Sequence, residues 1–135
     1  MVKIFFASHG KLASGLKSSL EILLGESENL TVFDAYLDEK SIQEVLEDYL
    51  TTLAKEDDLV LCSDLFGGSV NQVMYLYLKR PNTYLVAGVN LAFMLGLSLK
   101  ETINKQDLTK LIESSRKAIC LVEDEIEILE NNDFL

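Results

Sequence analysis

The stretch Val2–Leu24, VKIFFASHGKLASGLKSSLEILL, changes its period in the middle. Val2–Ala7 is a nearly continuous apolar run interrupted by one lysine, the pattern of a buried strand. From Lys11 onward, Leu12, Leu16, Leu20, Leu23 and Leu24 fall on one helical face, and Gly25 stops the pattern. The junction between the two patterns is Ser8-His9-Gly10, and His9 is the one histidine of the chain. A buried strand that feeds an amphipathic helix is the first half of a βαβ unit.

The alternation continues. Leu30–Ala35 reads as a strand. Ser41-Ile42-Gln43-Glu44 reads as a capping box that opens a helix with Ile42, Val45, Leu46, Tyr49, Leu50 and Leu53 inward. Asp57–Ser63 is a third strand, the most continuously apolar up to that point, and runs into Asp64 and then Leu65-Phe66-Gly67-Gly68-Ser69. Ser69-Val70-Asn71-Gln72 reads as a second capping box, for a helix reaching about Lys79. Arg80-Pro81-Asn82 is a turn before a strand at Thr83–Ala87. Asn90 is a good N-cap for the apolar helix LAFMLGLSL. Asp107 reads as the cap of a last helix carrying Leu108, Leu111 and Ile112. Ala118–Val122 (AICLV) is a final strand candidate, and the alternation Glu125–Ile128 fits an exposed strand. This order predicts an α/β fold: a doubly wound, mostly parallel sheet with helices on both faces and right-handed crossovers. One proline, no Ser/Gly/Pro-rich linker and no internal repeat predict a single domain over residues 1–135.

Composition narrows the function. The 135 residues carry a formal net charge of −10, which argues against nucleic acid or an anionic lipid surface as partner. No apolar run is long enough to span a bilayer, and the start is too short for a signal peptide. Cys62 and Cys120 sit in apolar runs and read as buried, reduced thiols of a cytoplasmic protein. With one histidine and no cysteine pairing motif, neither a metal nor another cofactor is expected.

His9 falls just past the end of the first strand and Asp64 just past the third. In a flavodoxin-like order of about 2-1-3-4, those strands are neighbours at the topological switch point, where ligands bind. A carboxylate that accepts one ring N–H fixes the tautomer and aims the other nitrogen outward. Helix starts near Lys11 and Ser69 offer orphan N–H groups to an anion. Gly67-Gly68 lets the backbone approach a ligand closely. Each residue also has a plain structural reading: a strand-end packing histidine, a turn aspartate, a glycine turn and an ordinary N-cap serine. Together they describe a nucleophilic nitrogen beside a phosphate cradle.

Residues 5–16 (FFASHGKLASGL), 59–73 (LVLCSDLFGGSVNQV) and 87–95 (AGVNLAFML) resemble the IIA component of the mannose family (mannose/fructose/sorbose type) of the bacterial phosphoenolpyruvate-dependent sugar phosphotransferase system. The resemblance runs in order and spacing to about Ser115. It implies a flavodoxin-like homodimer in which a C-terminal, antiparallel strand often exchanges between subunits. It implies that His9 accepts a phosphoryl group at Nε2 from the histidine phosphocarrier protein and passes it to the IIB component, with membrane IIC and IID components acting downstream. Asp64 matches the aspartate that orients the imidazole. Gly10, Leu65, Gly67, Gly68 and Ser69 match the phosphate-contacting positions. Leu65 stands where some members have threonine, which shifts phosphate binding toward backbone N–H groups and Ser69. Val70 and Phe66 replace a common proline and a common tryptophan.

A second class of function on the same fold is a non-transport regulatory or binding module, such as a paralogue linked to dihydroxyacetone phosphorylation or to a transcription regulator. The dihydroxyacetone relatives share the Ser-His element but lack D-x-x-G-G-S, so the loop favours the transport branch. A response-regulator receiver would need clustered acids after the first strand. A histidine phosphatase would need arginine where Ser8 stands, and a flavodoxin would need a Ser/Thr-rich first loop.

Overall fold

Four strands, β1 (Val2–His9), β2 (Leu30–Ala35), β3 (Asp58–Ser63) and β4 (Thr83–Ala87), form one sheet in the order β2-β1-β3-β4. Every neighbouring pair is parallel, with Ile4 opposite Leu30 and Val60, and Leu61 opposite Leu85. The structure is a computed structural model and describes residues 2–123. Five helices connect and cover the sheet: α1 (Leu12–Leu24), α2 (Ile42–Leu50), α3 (Ser69–Tyr75), α4 (Leu91–Ser98) and α5 (Lys105–Lys117). The flavodoxin-like doubly wound α/β fold read from the sequence is the observed one.

Period-2 alternation divides the core into two layers. Val2, Ile4 and Phe6 of β1 pack with Leu20 of α1, Met94 and Leu97 of α4 and Leu108 of α5. Phe5 and Ala7 point the other way, onto Ile42 and Leu46 of α2 and Val70 and Met74 of α3. The sheet winds outward in both directions from β1 and β3, so the switch point lies between their carboxyl ends.

Local chemistry sets the helix starts, with several departures from the sequence reading. Ser41 caps α2 by accepting from Glu44 N–H, and Asn90 caps α4 by accepting from Phe93 N–H at 2.8 Å. The cap of α5 is Asn104 instead of Asp107: the Asn104 side chain accepts the Asp107 N–H while the Asp107 carboxylate accepts the Asn104 N–H, a reciprocal box one turn earlier. Helix α3 ends at Tyr75, short of Lys79. The chain continues there in i→i+3 bonded turns, Leu76 to Val73 and Tyr77 to Met74, just before Pro81.

Ala118–Val122 is not a strand. Helix α5 closes through i→i+3 bonds from Ala118 and Ile119, and the following segment joins no ladder among the described residues. A short apolar run carries no information about a pairing partner. Cys120 is accordingly exposed, contrary to its sequence reading, while Cys62 is buried in β3. Glu125–Ile128 and the expected exchange of a C-terminal strand lie outside the described residues.

The leucine face of α1 is only partly interior. Leu20 is buried with Ala13, whereas Leu12 is 53% exposed. Leu20→Ala is expected to lower the unfolding free energy by about 3 kcal/mol, from lost burial and the cavity left behind. Leu12→Ala should stay within about 0.5 kcal/mol. Urea midpoints at constant m-value check both.

Candidate functional site

Strand alternation decides which way the Ser-His pair points. Ser8 follows Ile4 and Phe6 toward α1, where its Oγ accepts the Ala13 N–H at 2.7 Å and donates to the Gly10 carbonyl at 3.0 Å. His9 follows Phe5 and Ala7 toward the α3 side. It is the last residue of β1, and Asp64 follows the last residue of neighbouring β3.

One carboxylate holds His9 twice. The His9 main-chain N–H donates to Asp64 Oδ2 at 2.8 Å. Ring Nδ1 lies 2.9 Å from Oδ2 and 3.2 Å from Oδ1. An acceptor-only carboxylate requires the hydrogen on Nδ1, so Nε2 faces outward. The His9 side chain is 43% exposed and that of Asp64 10%. Burial pushes the Asp64 carboxyl up, but the His9 main-chain N–H, the ring hydrogen bond, the ring charge and the Asp64 N–H together hold it below its ordinary 3.8.

The loop Leu65–Ser69 forms the opposite wall. Gly67 has φ +76°, in the left-handed region. A Cβ on Gly68 would sit 3.4 Å from His9 Cε1, so the missing side chain allows the loop to close on the imidazole. Gln72 Nε2 donates to the Gly67 carbonyl at 3.2 Å and fixes the turn. The N-cap of α3 is Gly68, and no side chain caps the helix. Ser69 is therefore the first helical residue and not the cap that its pairing with Gln72 suggests. Its Oγ is free for the site and lies 3.5 Å from His9 Nε2. Leu65 and Phe66 project outward, 59% and 83% exposed.

The two helix starts are not equivalent, contrary to the expectation that both serve an anion. The first turn of α1 is closed by Ser8 and Asp34. Ser14 N–H donates to Asp34 Oδ1 at 2.9 Å and Ser14 Oγ to Oδ2 at 2.6 Å. Gly10, at φ +64°, makes the turn out of β1, and its N–H is committed to the Ala35 carbonyl at 2.9 Å. An anion beside α1 would meet the Asp34 carboxylate, whereas residues 65–68 before α3 carry no acid and the nearby Asp64 carboxylate is engaged by the His9 N–H and ring.

Tyr36 is the site residue that the sequence reading missed. Its ring lies against the His9 imidazole, centroids 5.3 Å apart at 32°, and its hydroxyl is hydrogen-bonded to Ser69 Oγ. Strand alternation would send Tyr36 with Asp34 toward α1. A left-handed backbone at φ 67° brings it to the His9 side instead, a conformation that costs an L-residue about 1–2 kcal/mol. The available signal was position: Tyr36 directly follows β2, the other neighbour of β1.

Among the described residues, no helix is long and apolar enough to cross a membrane, and no cluster of three or more His, Cys, Asp or Glu could hold a metal.

The molecule is thus a doubly wound α/β protein with an imidazole–carboxylate pair at its switch point. The model of the EIIA-man family, described as the PTS system fructose IIA component, matches residues 3–115, and the chain belongs to that family of sugar phosphotransferase-system IIA components. The fructose-specific EIIA component of Bacillus subtilis (strain 168) is 29% identical over 112 residues, spanning 80% of this chain and 77% of the relative. Among solved structures, a Klebsiella pneumoniae protein assigned to the phosphoenolpyruvate-dependent sugar phosphotransferase system has a TM-score of 0.81 at 28% identity, covering 89% of this chain and 90% of its own. The mannose/sorbose-specific IIA subunit of Enterococcus faecalis shares the fold at TM-score 0.78 and 22% identity, covering 90% and 95%.

The lowered Asp64 value carries a pH signature. A carboxyl whose folded value is depressed adds stability that is complete above its unfolded value and is lost as pH falls through the folded one. Asp64→Asn is therefore expected to lower stability at neutral pH and to flatten the loss of stability below about pH 3.8. Urea unfolding at successive pH values, wild type against variant, checks the sign. A variant whose pH profile parallels the wild type would remove Asp64 from the acid transition.

Proposed function

We propose that this chain is a phosphoryl carrier with His9 Nε2 as the acceptor atom. The observation that carries the reading is the double hold of Asp64 on His9, which occupies Nδ1 and leaves Nε2 directed at Ser69 and the glycine loop. The Nε2 lone pair forms a bond to phosphorus in line. The bond from phosphorus to the donor nitrogen breaks, and its electron pair returns to the donor imidazole. No proton moves, because Nδ1 keeps its hydrogen against Asp64. The ring gains positive charge as the new bond forms, and the carboxylate offsets it. Positioning and charge stabilisation suffice for such a transfer.

Ser69 Oγ and the backbone of Leu65–Gly68 receive the phosphoryl oxygens, while Gly10 contributes the turn that places His9. The donor is the histidine phosphocarrier protein and the acceptor a IIB component, both delivered to the exposed surface around Leu65 and Phe66. The homodimer implied by the resemblance belongs to the same proposal. It would cover apolar side chains such as Ile119 and Leu121, which are exposed in this chain. The match to IIA components of transport systems favours this reading over a regulatory module.

Incubation with phosphoenolpyruvate, enzyme I and the histidine phosphocarrier protein should place an acid-labile phosphoryl group on the wild type and none on a folded His9→Gln variant. Asp64→Ala should slow transfer by a factor on the order of 10², as loss of the orienting carboxylate does in other His–Asp pairs. Wild-type rates in Asp64→Ala would refute the orienting role. An unlabelled wild type would favour the regulatory alternative.

A further inference from the structure

We propose that Tyr36 is a positioning residue of this site: its hydroxyl fixes Ser69 Oγ as a hydrogen-bond donor toward the phosphoryl group on His9 Nε2. The inference rests on the carrier reading above and names a residue which that reading does not require. A serine hydroxyl has one hydrogen and rotates to suit its surroundings. The oxygens of a bound phosphoryl group are acceptors only. Ser69 serves them only if its hydrogen is kept pointing at Nε2 and its lone pair is satisfied from elsewhere.

Tyr36 supplies that partner. Its hydroxyl is bonded to Ser69 Oγ, and Ser69 Oγ faces His9 Nε2 at 3.5 Å. A phenol is the more acidic of two hydroxyls and hence the better donor, so the pair orders itself as Tyr36 O–H to Ser69 Oγ and Ser69 O–H to Nε2. Donors aligned in this way polarise one another. When Nε2 bonds to phosphorus, the Ser69 hydrogen turns to a phosphoryl oxygen while the Tyr36 bond stays in place. Ser69 is available for this because α3 has Gly68 as its N-cap. The left-handed backbone at Tyr36 and the contact of its ring with the imidazole place the phenol where it can reach Ser69 without blocking Nε2.

Tyr36→Phe keeps the ring and removes the hydroxyl. In rapid-quench transfer from the phosphorylated carrier protein, it should slow acceptance by about 5-fold and Ser69→Ala by about 10-fold, with the double variant no slower than Ser69→Ala alone. Because Tyr36 acts through Ser69, its effect must vanish once Ser69 has no hydroxyl, which a general structural role would not produce. Nitrogen NMR of the His9 ring, recorded without any phosphoryl donor, should show Tyr36→Phe moving the Nε2 resonance, leaving Nδ1 in place, and having no effect in the Ser69→Ala background. Wild-type kinetics in Tyr36→Phe, an equal slowing in both backgrounds, or an unmoved Nε2 resonance would each overturn the proposal. An unlabelled wild type would defeat the carrier reading itself. A moved resonance in that case would keep the hydroxyl chain but reject phosphate as its ligand, overturning the proposal as stated.

Discussion

The site depends on one carboxylate bridging the ends of two strands. Asp64 accepts both the main-chain N–H of His9 and its ring nitrogen. The first bond ties the end of β1 to the end of β3, and the second sets the rotation of the imidazole. A partly exposed histidine held by a single bond would be free to swing about that contact. Bonds to backbone and ring from the same group leave the outward nitrogen little choice of direction. The arrangement is available only because the crossover through α2 returns the chain to the far side of β1, making β1 and β3 neighbours across 55 positions of sequence.

The two helix starts around this pair do different work. At α1 the serine before the histidine and the aspartate of β2 take the amides of Ala13 and Ser14, so that end is largely occupied from within and carries a negative charge. At α3 glycine occupies the cap, and the serine that could have capped the helix turns to the site. Ser8 and His9 are adjacent in the chain, but alternation along β1 sends one to close α1 and the other to meet α3. The Ser-His dipeptide therefore separates a structural task from a chemical one by a single step of the strand.

This explains which features were legible. Apolar runs and helical faces revealed the strands, the parallel order and the layers, because burial period is written in the residue types themselves. The meeting of His9 and Asp64 followed from strand ends and the doubly wound order. Ser69 was ambiguous because S-x-x-Q suits either a cap or a site, and only the backbone at Gly68 distinguishes them. Tyr36 left no signal in residue type, since its placement comes from a left-handed backbone that sequence pattern does not encode for tyrosine. Asp34, the carboxylate that closes α1, is one residue in a strand of mixed polarity and gave no hint of Ser14. Ala118–Val122 misled because apolar content promises burial without naming a partner.

The donors gathered beside Nε2 are uncharged: the serine and tyrosine hydroxyls and the amides of a glycine loop. Among the described residues no lysine or arginine joins them, and Asp64 is hydrogen-bonded to the far nitrogen of the ring. On the proposed function this restraint has a physical purpose. A cationic clamp would deepen the bound state and hold the phosphoryl group against departure, whereas a carrier must release what it accepts. Neutral donors orient the group with modest energy, and the negative charge of Asp64 stabilises the imidazolium more than the phosphate. Transfer between two imidazoles then stays close to balanced, and its direction is left to the partner that takes the group away.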